Sequence, residues 1–152
     1  MDWLPWAPLG AVIPHIFEGF VYPGGFVEWY RRYRVDASRI TTRFLIIINA
    51  ALLTACWDSA YLVRQGAGVL YWLTIAALTF SNGCWHAWAS FKGREYSPGT
   101  NTGVAIHVPL GVYGYSHFLR SGAASVTTAL IAAVIGGSYP FWSALFHRGP
   151  RR

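Results

Sequence analysis

Phe44-Leu45-Ile46-Ile47-Ile48-Asn49-Ala50-Ala51-Leu52-Leu53-Thr54-Ala55-Cys56-Trp57 is the stretch that decides the fold. It contains no Lys, Arg, Asp or Glu, and it sits inside a longer apolar run, 42–63, with Asp58 near the far end. A helix rises ~1.5 Å per residue, so about 20 apolar residues cross a bilayer core. The whole chain has this character. Of its 152 residues, 54% are hydrophobic and only 12% are charged, against about 25% charged in soluble domains. Eight Trp and nine Tyr suit a membrane interface. A net charge of +6 would suggest nucleic acid for a soluble protein. Here the basic residues flank apolar runs, so membrane orientation explains them and no nucleic-acid partner is expected.

Working outward, four further apolar segments appear, giving expected spans at 6–22, 42–63, 66–91, 100–119 and 123–146. Pro23-Gly24-Gly25 ends the first, because proline and paired glycines break a helix. The mixed aromatics and arginines of 26–34 suit a short helix in the headgroup layer, and Asp36 or Ser38 is a candidate cap for the next one. Lys92-Gly93-Arg94-Glu95-Tyr96-Ser97-Pro98-Gly99 has turn chemistry, and Pro109 is expected to kink the fourth span. The expected architecture is all-α: one polytopic membrane helical bundle over 1–152, with about five transmembrane helices and an amphipathic interfacial helix after the first. No Lys or Arg precedes Arg31, so the basic region of a cleaved signal peptide is missing. Cys56 and Cys84 fit no zinc spacing and are expected to be small buried hydrophobes. Small residues at Ala51 and Ala55, Gly111 and Gly114, and Gly136 and Gly137 permit close helix approach.

Lys and Arg set the orientation. With five spans, Arg31, Arg32, Arg34, Arg39, Arg43, Lys92, Arg94, Arg148, Arg151 and Arg152 fall on one side, and only Arg64 and Arg120 on the other. That distribution places the C-terminus in the cytoplasm, in a bacterial-type inner membrane or its equivalent.

Polar residues inside a membrane are costly and mark candidate sites. His15 and Glu18, three apart in Pro14-His15-Ile16-Phe17-Glu18, share one helix face. By depth, His86, Asn82 one turn away on the same face, and His107 fall in the same inner-leaflet layer. Arg94, Glu95 and Tyr96 lie in the loop that caps it. Imidazoles with a carboxylate suit zinc or iron, so His15, Glu18, His86 and His107 are candidate ligands of a divalent metal. Without metal, a buried His–Glu pair moves protons, with Glu18, His15, His86 and Tyr96 as candidate catalytic residues. Asn82, His107 and Arg94 are candidate substrate-binding residues. The plainer alternative is that the histidines and the glutamate tie helices together. Asp58 and Asn49 are expected to be local caps or helix contacts.

His15-x-x-Glu18, Asn82-x-x-x-His86 and Tyr96-Ser97-Pro98-Gly99 come in a characteristic order. With Thr102 and Pro109 in the fourth span, the chain resembles the small integral membrane proteins named for an HXXEE motif, a family of uncertain function. The resemblance implies sites at His15, Glu18, Asn82, His86 and Tyr96. It departs at Gly19, where the motif has a second glutamate; Glu95 and Glu28 are candidate substitutes.

The leading expectation is a membrane-embedded enzyme acting on a lipidic or isoprenoid-like substrate, metal-assisted or by acid–base chemistry. Five histidines and no HxxxH or HxxHH box argue against the histidine-rich diiron desaturase and hydroxylase type. The alternative is a non-catalytic accessory subunit, binding pigment, haem or metal, as an oligomer or within a larger membrane complex. A transporter is disfavoured, because no inverted repeat is evident.

Overall fold

The structure, a computed structural model, describes residues 2–34 and 40–146. A 3-10 turn, Leu4–Trp6, leads into α1 (Ala7–Phe20), followed by α2 (Phe26–Tyr33), α3 (Thr42–Arg64) and α4 (Val69–Gly93). Next come α5 (Thr100–Thr102), a π-helical segment (Gly103–His107) and α6 (Val108–Arg120), which run on as one rod. The described part ends with α7 (Val126–Gly137) and α8 (Tyr139–Phe146). No strand is present among the described residues. The fold is all-α, as expected, and α2 falls where the short amphipathic helix is expected.

Two helical stretches are long and apolar enough to cross a membrane, Thr42–Arg64 and Val126–Phe146. Only 17% of the apolar window is buried in each, so neither is the enclosed core helix of a soluble domain. Ile46, Ile47 and Trp57 on α3 and Leu130 and Val134 on α7 point outward. The other three expected spans fall short of that standard, for physical reasons. α1 has 14 residues, or about 21 Å of helix, against a hydrocarbon core of about 30 Å. α4 is long enough at 25 residues, but Ser81, Asn82, His86 and Ser90 dilute its apolar character. The fourth segment is interrupted by the π turn.

That π turn stands where a kink at Pro109 is expected. Proline has no N–H to return to residue 105 and its ring crowds that carbonyl. Widening the preceding turn accommodates both, and π turns of this kind redirect side chains. The cap of α3 is Thr41, whose hydroxyl accepts from the Phe44 N–H at 3.1 Å. Asp36, Ser38, Arg39, His147 and the basic tail 148–152 lie outside the described residues.

α4 is the axis of the fold: α1, α3, α6, α7, α8 and the π segment all pack on it. Its first half is held by shape. Trp72, Leu73 and Ala76 pack with Leu4, Phe118, Ala129 and Ala132, and the Trp72 indole N–H donates to the Leu4 and Pro5 carbonyls, each at 3.2 Å. Gly114 and Gly136 supply the close approaches expected of them: a Cβ at Gly114 would lie 2.3 Å from the Trp72 ring, and one at Gly136 would lie 2.1 Å from the Thr74 carbonyl oxygen. Gly137 makes no such approach, and Ala51 faces outward. Cys56 is buried as expected, whereas Cys84 is exposed. Further along α4, Gly83 meets Gly103 backbone to backbone, with room for no side chain on either. One turn beyond each glycine stands a histidine, His86 and His107.

Candidate functional site

Glu18 is 5% exposed and faces the start of α5, where backbone N–H groups lack helical partners. One carboxylate oxygen, Oε1, accepts from the N–H groups of Gly99 at 2.9 Å and Asn101 at 3.0 Å, and from the Tyr96 hydroxyl. The other, Oε2, accepts from the Thr102 N–H at 2.7 Å and from the Thr102 hydroxyl. Five donors therefore converge on one carboxylate, which caps a helix that belongs to another part of the chain.

A tautomer follows from this. A carboxylate so occupied only accepts, so the Thr102 hydroxyl must give its proton to Glu18. Its oxygen is then free to accept from His15 Nδ1, at 2.9 Å. His15 is thereby fixed with its proton on Nδ1 and its lone pair on Nε2, which takes a hydrogen bond from Asn82 Nδ2 at 3.1 Å. In acid–base sites a third group orients the base; here that group is Thr102, itself held by Glu18.

His86, 4% exposed, lies edge-on to His15, with ring centres 5.1 Å apart. Its Nδ1 pairs with the buried Ser97 hydroxyl at 2.9 Å. The Ser97 N–H donates to Ser90 Oγ at 2.9 Å, and Ser90 pairs with Thr100 at 2.8 Å. These hydroxyls pin the 97–100 turn to the end of α4. Gly99 sits between the two imidazoles with φ +107°, and a Cβ there would lie 2.8 Å from Cε1 of both rings. Only glycine fits, on steric and backbone grounds together.

His15, Asn82 and His86 line a cavity of about 70 Å³ together with Gly19, Phe26, Asn49 and Tyr139. The structure thus gathers His15, Glu18, Asn82, His86 and Tyr96 as the sequence suggests. His107 stands behind His15, ring centres 4.6 Å apart, and does not line the cavity. Its Nε2 donates to the Ala11 carbonyl at 3.2 Å, and its buried Nδ1 has no hydrogen-bond partner among the described residues. Arg94 is exposed at the left-handed C-cap of α4, away from the cavity. Burial and the Glu18 carboxylate push the Tyr96 phenol up to about 12, so it remains a donor at any physiological pH.

Neither candidate for the missing second carboxylate reaches the cavity. Glu95 pairs with Arg32 on the surface and Glu28 is exposed on α2. Among the described residues, no group of three His, Cys, Asp or Glu side chains is arranged to hold a metal ion. Glu18 has its oxygens occupied, and both His15 nitrogens are hydrogen-bonded.

A sequence model described as a protein of unknown function with an HXXEE motif matches residues 6–114. The chain belongs to the HXXEE-motif family. The match spans α1 through most of α6 and so includes the whole cluster. No curated protein and no solved structure matches the chain. In this HXXEE chain the motif's His and first Glu meet through Thr102, and its second Glu position is Gly19. Thr102, Ser97 and Gly99 carry the geometry; the sequence marks them as part of the family resemblance but gives them no role of their own. Asn49 returns a hydrogen bond to the Leu45 carbonyl at 2.9 Å, the helix contact expected of it, and also lines the cavity. Nothing in the sequence marks Tyr139.

Proposed function

We propose that this chain is a membrane-embedded acid–base enzyme acting on a lipidic substrate, with His15 as the base. The observation that supports it most is the Glu18–Thr102–His15 hydrogen-bond chain, which leaves an imidazole lone pair at the wall of a cavity. Substrate displaces the Asn82 amide from His15 Nε2, which then takes a proton from the reacting atom. His15, now protonated at Nε2, gives that same proton back at a second position of the substrate, while His86, on the cavity wall, hydrogen-bonds the substrate. The net change is a proton shift, as in an isomerisation, and the enzyme is left as it began. Glu18 stays an acceptor throughout: it orients His15 through Thr102 and stabilises the cation that His15 becomes. Tyr96 holds Glu18 in place.

The reading sets this chemistry in the inner leaflet of a bacterial-type inner membrane. The chain enters it with five segments, the short α1 and then α3, α4, the 100–120 rod and α7 with α8, with the C-terminus in the cytoplasm. A reporter fused after Arg152 is then active only in its cytoplasmic form; an exported C-terminus overturns this orientation.

A metal-assisted version is the second reading, favoured by one observation: the orphaned Nδ1 of buried His107 beside two further imidazoles. Zinc or iron would recruit His15, His86 and His107, with Glu18 orienting His15 through Thr102 and Ser97 orienting His86. Metal analysis of protein purified in mild detergent separates the two. Stoichiometric metal lost in His86→Ala supports the second reading, and metal-free active protein supports the first. The enzymatic reading itself is tested by profiling lipids from cells expressing the wild type or His15→Ala. A lipid conversion that needs His15 supports it; identical profiles overturn it.

A further inference from the structure

The cavity does not end at its polar wall. Leu45, Ile48 and Tyr139 line both it and a groove of about 400 Å³ between α3 and α8. Phe44, Trp142, Ser143 and Phe146 complete that groove. α3 and α8 each lean on α4, so the space between them stays open. The polar cavity of His15, Asn82 and His86 and the groove between the two apolar helices thus adjoin, sharing Leu45, Ile48 and Tyr139.

Its charge is the second observation. Among the described residues no Lys, Arg, Asp or Glu lines either the cavity or the groove. Glu18 lies behind His15 with its oxygens taken. The HXXEE motif would put a second carboxylate at position 19, and Gly19 is on the cavity wall. A Cβ built there meets nothing within 4 Å, so there is room for a side chain and what this chain lacks is the charge. A charged head group would be stripped of water here with no counter-ion, at a heavy cost. An uncharged head would find donors and acceptors on His15, Asn82 and His86.

The other grooves differ in kind. The one of about 420 Å³ between α4, α6 and α7, lined by Ala77, Phe80, Val112 and Ala133, is apolar almost throughout. The one of about 690 Å³ beside α2 carries Arg32, Lys92 and Glu95.

We infer that the cavity takes the head of a single-chain amphiphile whose head group is uncharged and hydrogen-bonding, an alcohol or a carbonyl, and that its chain lies between α3 and α8. This rests on the reading of the His15 cavity as the reactive site. The test is photolabelling of the purified protein in mild detergent. The probe is a long-chain primary alcohol with a diazirine in mid-chain, competed by the unlabelled alcohol or by the phosphate monoester of the same chain. Label should map to α3 and α8, and the alcohol should compete about tenfold better than the phosphate. Ile48→Trp, which fills the groove, and Gly19→Glu, which returns the carboxylate, should each cut labelling about fivefold or more with an unchanged melting temperature. Label spread evenly onto α7 around Leu130 and Val134, or a phosphate that competes as well as the alcohol, overturns the inference; either can be read on the wild type even if a variant fails to fold. His15→Ala separates this from the catalytic reading. Groove labelling with no His15-dependent conversion leaves the binding site standing and removes the enzyme, and the converse removes the groove alone.

Discussion

The two halves of α4 are held in opposite ways. Its first half is a matter of shape: Trp72 fills the recess left by Gly114, and Leu73 and Ala76 close around it. Its second half is a matter of directed polar contacts, in which Asn82 and His86 meet groups from α1, the 97–100 turn and α5. A shape-held contact tolerates exchange of one apolar group for another of equal volume. A network of buried donors and acceptors tolerates almost none, because each lost partner strands the group facing it. The specificity of this fold therefore lies at the end where α1 is tied to α5.

The polar half is most vulnerable at Glu18. Glu18→Ala leaves five donors without an acceptor, three of them backbone N–H groups. Tyr96 is exposed and its hydroxyl can turn to water, but at roughly 1–3 kcal/mol for each of the other stranded groups a loss of about 4 kcal/mol or more is expected, seen as loss of cooperative thermal unfolding in detergent. Glu18→Gln should recover part of it, since one amide oxygen still accepts; equal damage from both would mean that charge rather than geometry is decisive. Trp72→Ala ranks second. It empties the core of the shape-held half and should cost about 3 kcal/mol, while a lipid conversion that depends on His15 should persist in whatever fraction remains folded. If Trp72→Ala abolished conversion in folded protein, the two halves would not be separable.

Much of this was legible in the sequence because the constraints were local. The uncharged run from Phe44 to Trp57 dictates an apolar helix, and α3 is one. The three-residue spacing of His15 and Glu18 and the four-residue spacing of Asn82 and His86 fix shared faces, and these faces meet. What escaped was set by contacts distant in sequence. Thr102 becomes a relay only because Glu18, on α1, reaches the start of α5. His107 shares the layer of the other histidines, yet the π turn ahead of Pro109 sets it behind His15, and periodicity alone does not reveal that turn. Arg94 stands beside Tyr96 in sequence, but its left-handed cap conformation leaves it exposed. The five even spans assumed helices chosen for length and hydropathy alone. α4 departs from that assumption because it carries the site, α1 because its helix is shorter at both ends than the expected 6–22, and the fourth segment because of its π turn.

The comparison sharpens at Thr102. Thr102→Val removes the hydroxyl while the residue's N–H still reaches Glu18. Stability should fall by about 1–2 kcal/mol. Conversion should fall about tenfold or more, as His15 loses the partner that fixes its tautomer. Thr102→Ser should restore conversion, which a purely structural role for the threonine methyl would not allow.

The smallest effect is expected at the edge of the polar half. Arg32 and Glu95 join α2 to the capping loop through an ion pair whose side chains are 60% and 51% exposed. Solvent screens such a pair, and holding two long side chains together costs entropy, so Arg32→Ala should change stability by less than about 1 kcal/mol. High salt should reproduce the effect in the wild type and add nothing in the variant. The cluster beneath should not respond, because Tyr96 and three backbone N–H groups hold Glu18 independently of this pair. A large loss of His15-dependent conversion in Arg32→Ala would show that the surface pair, rather than the buried carboxylate, sets the position of the 97–100 turn.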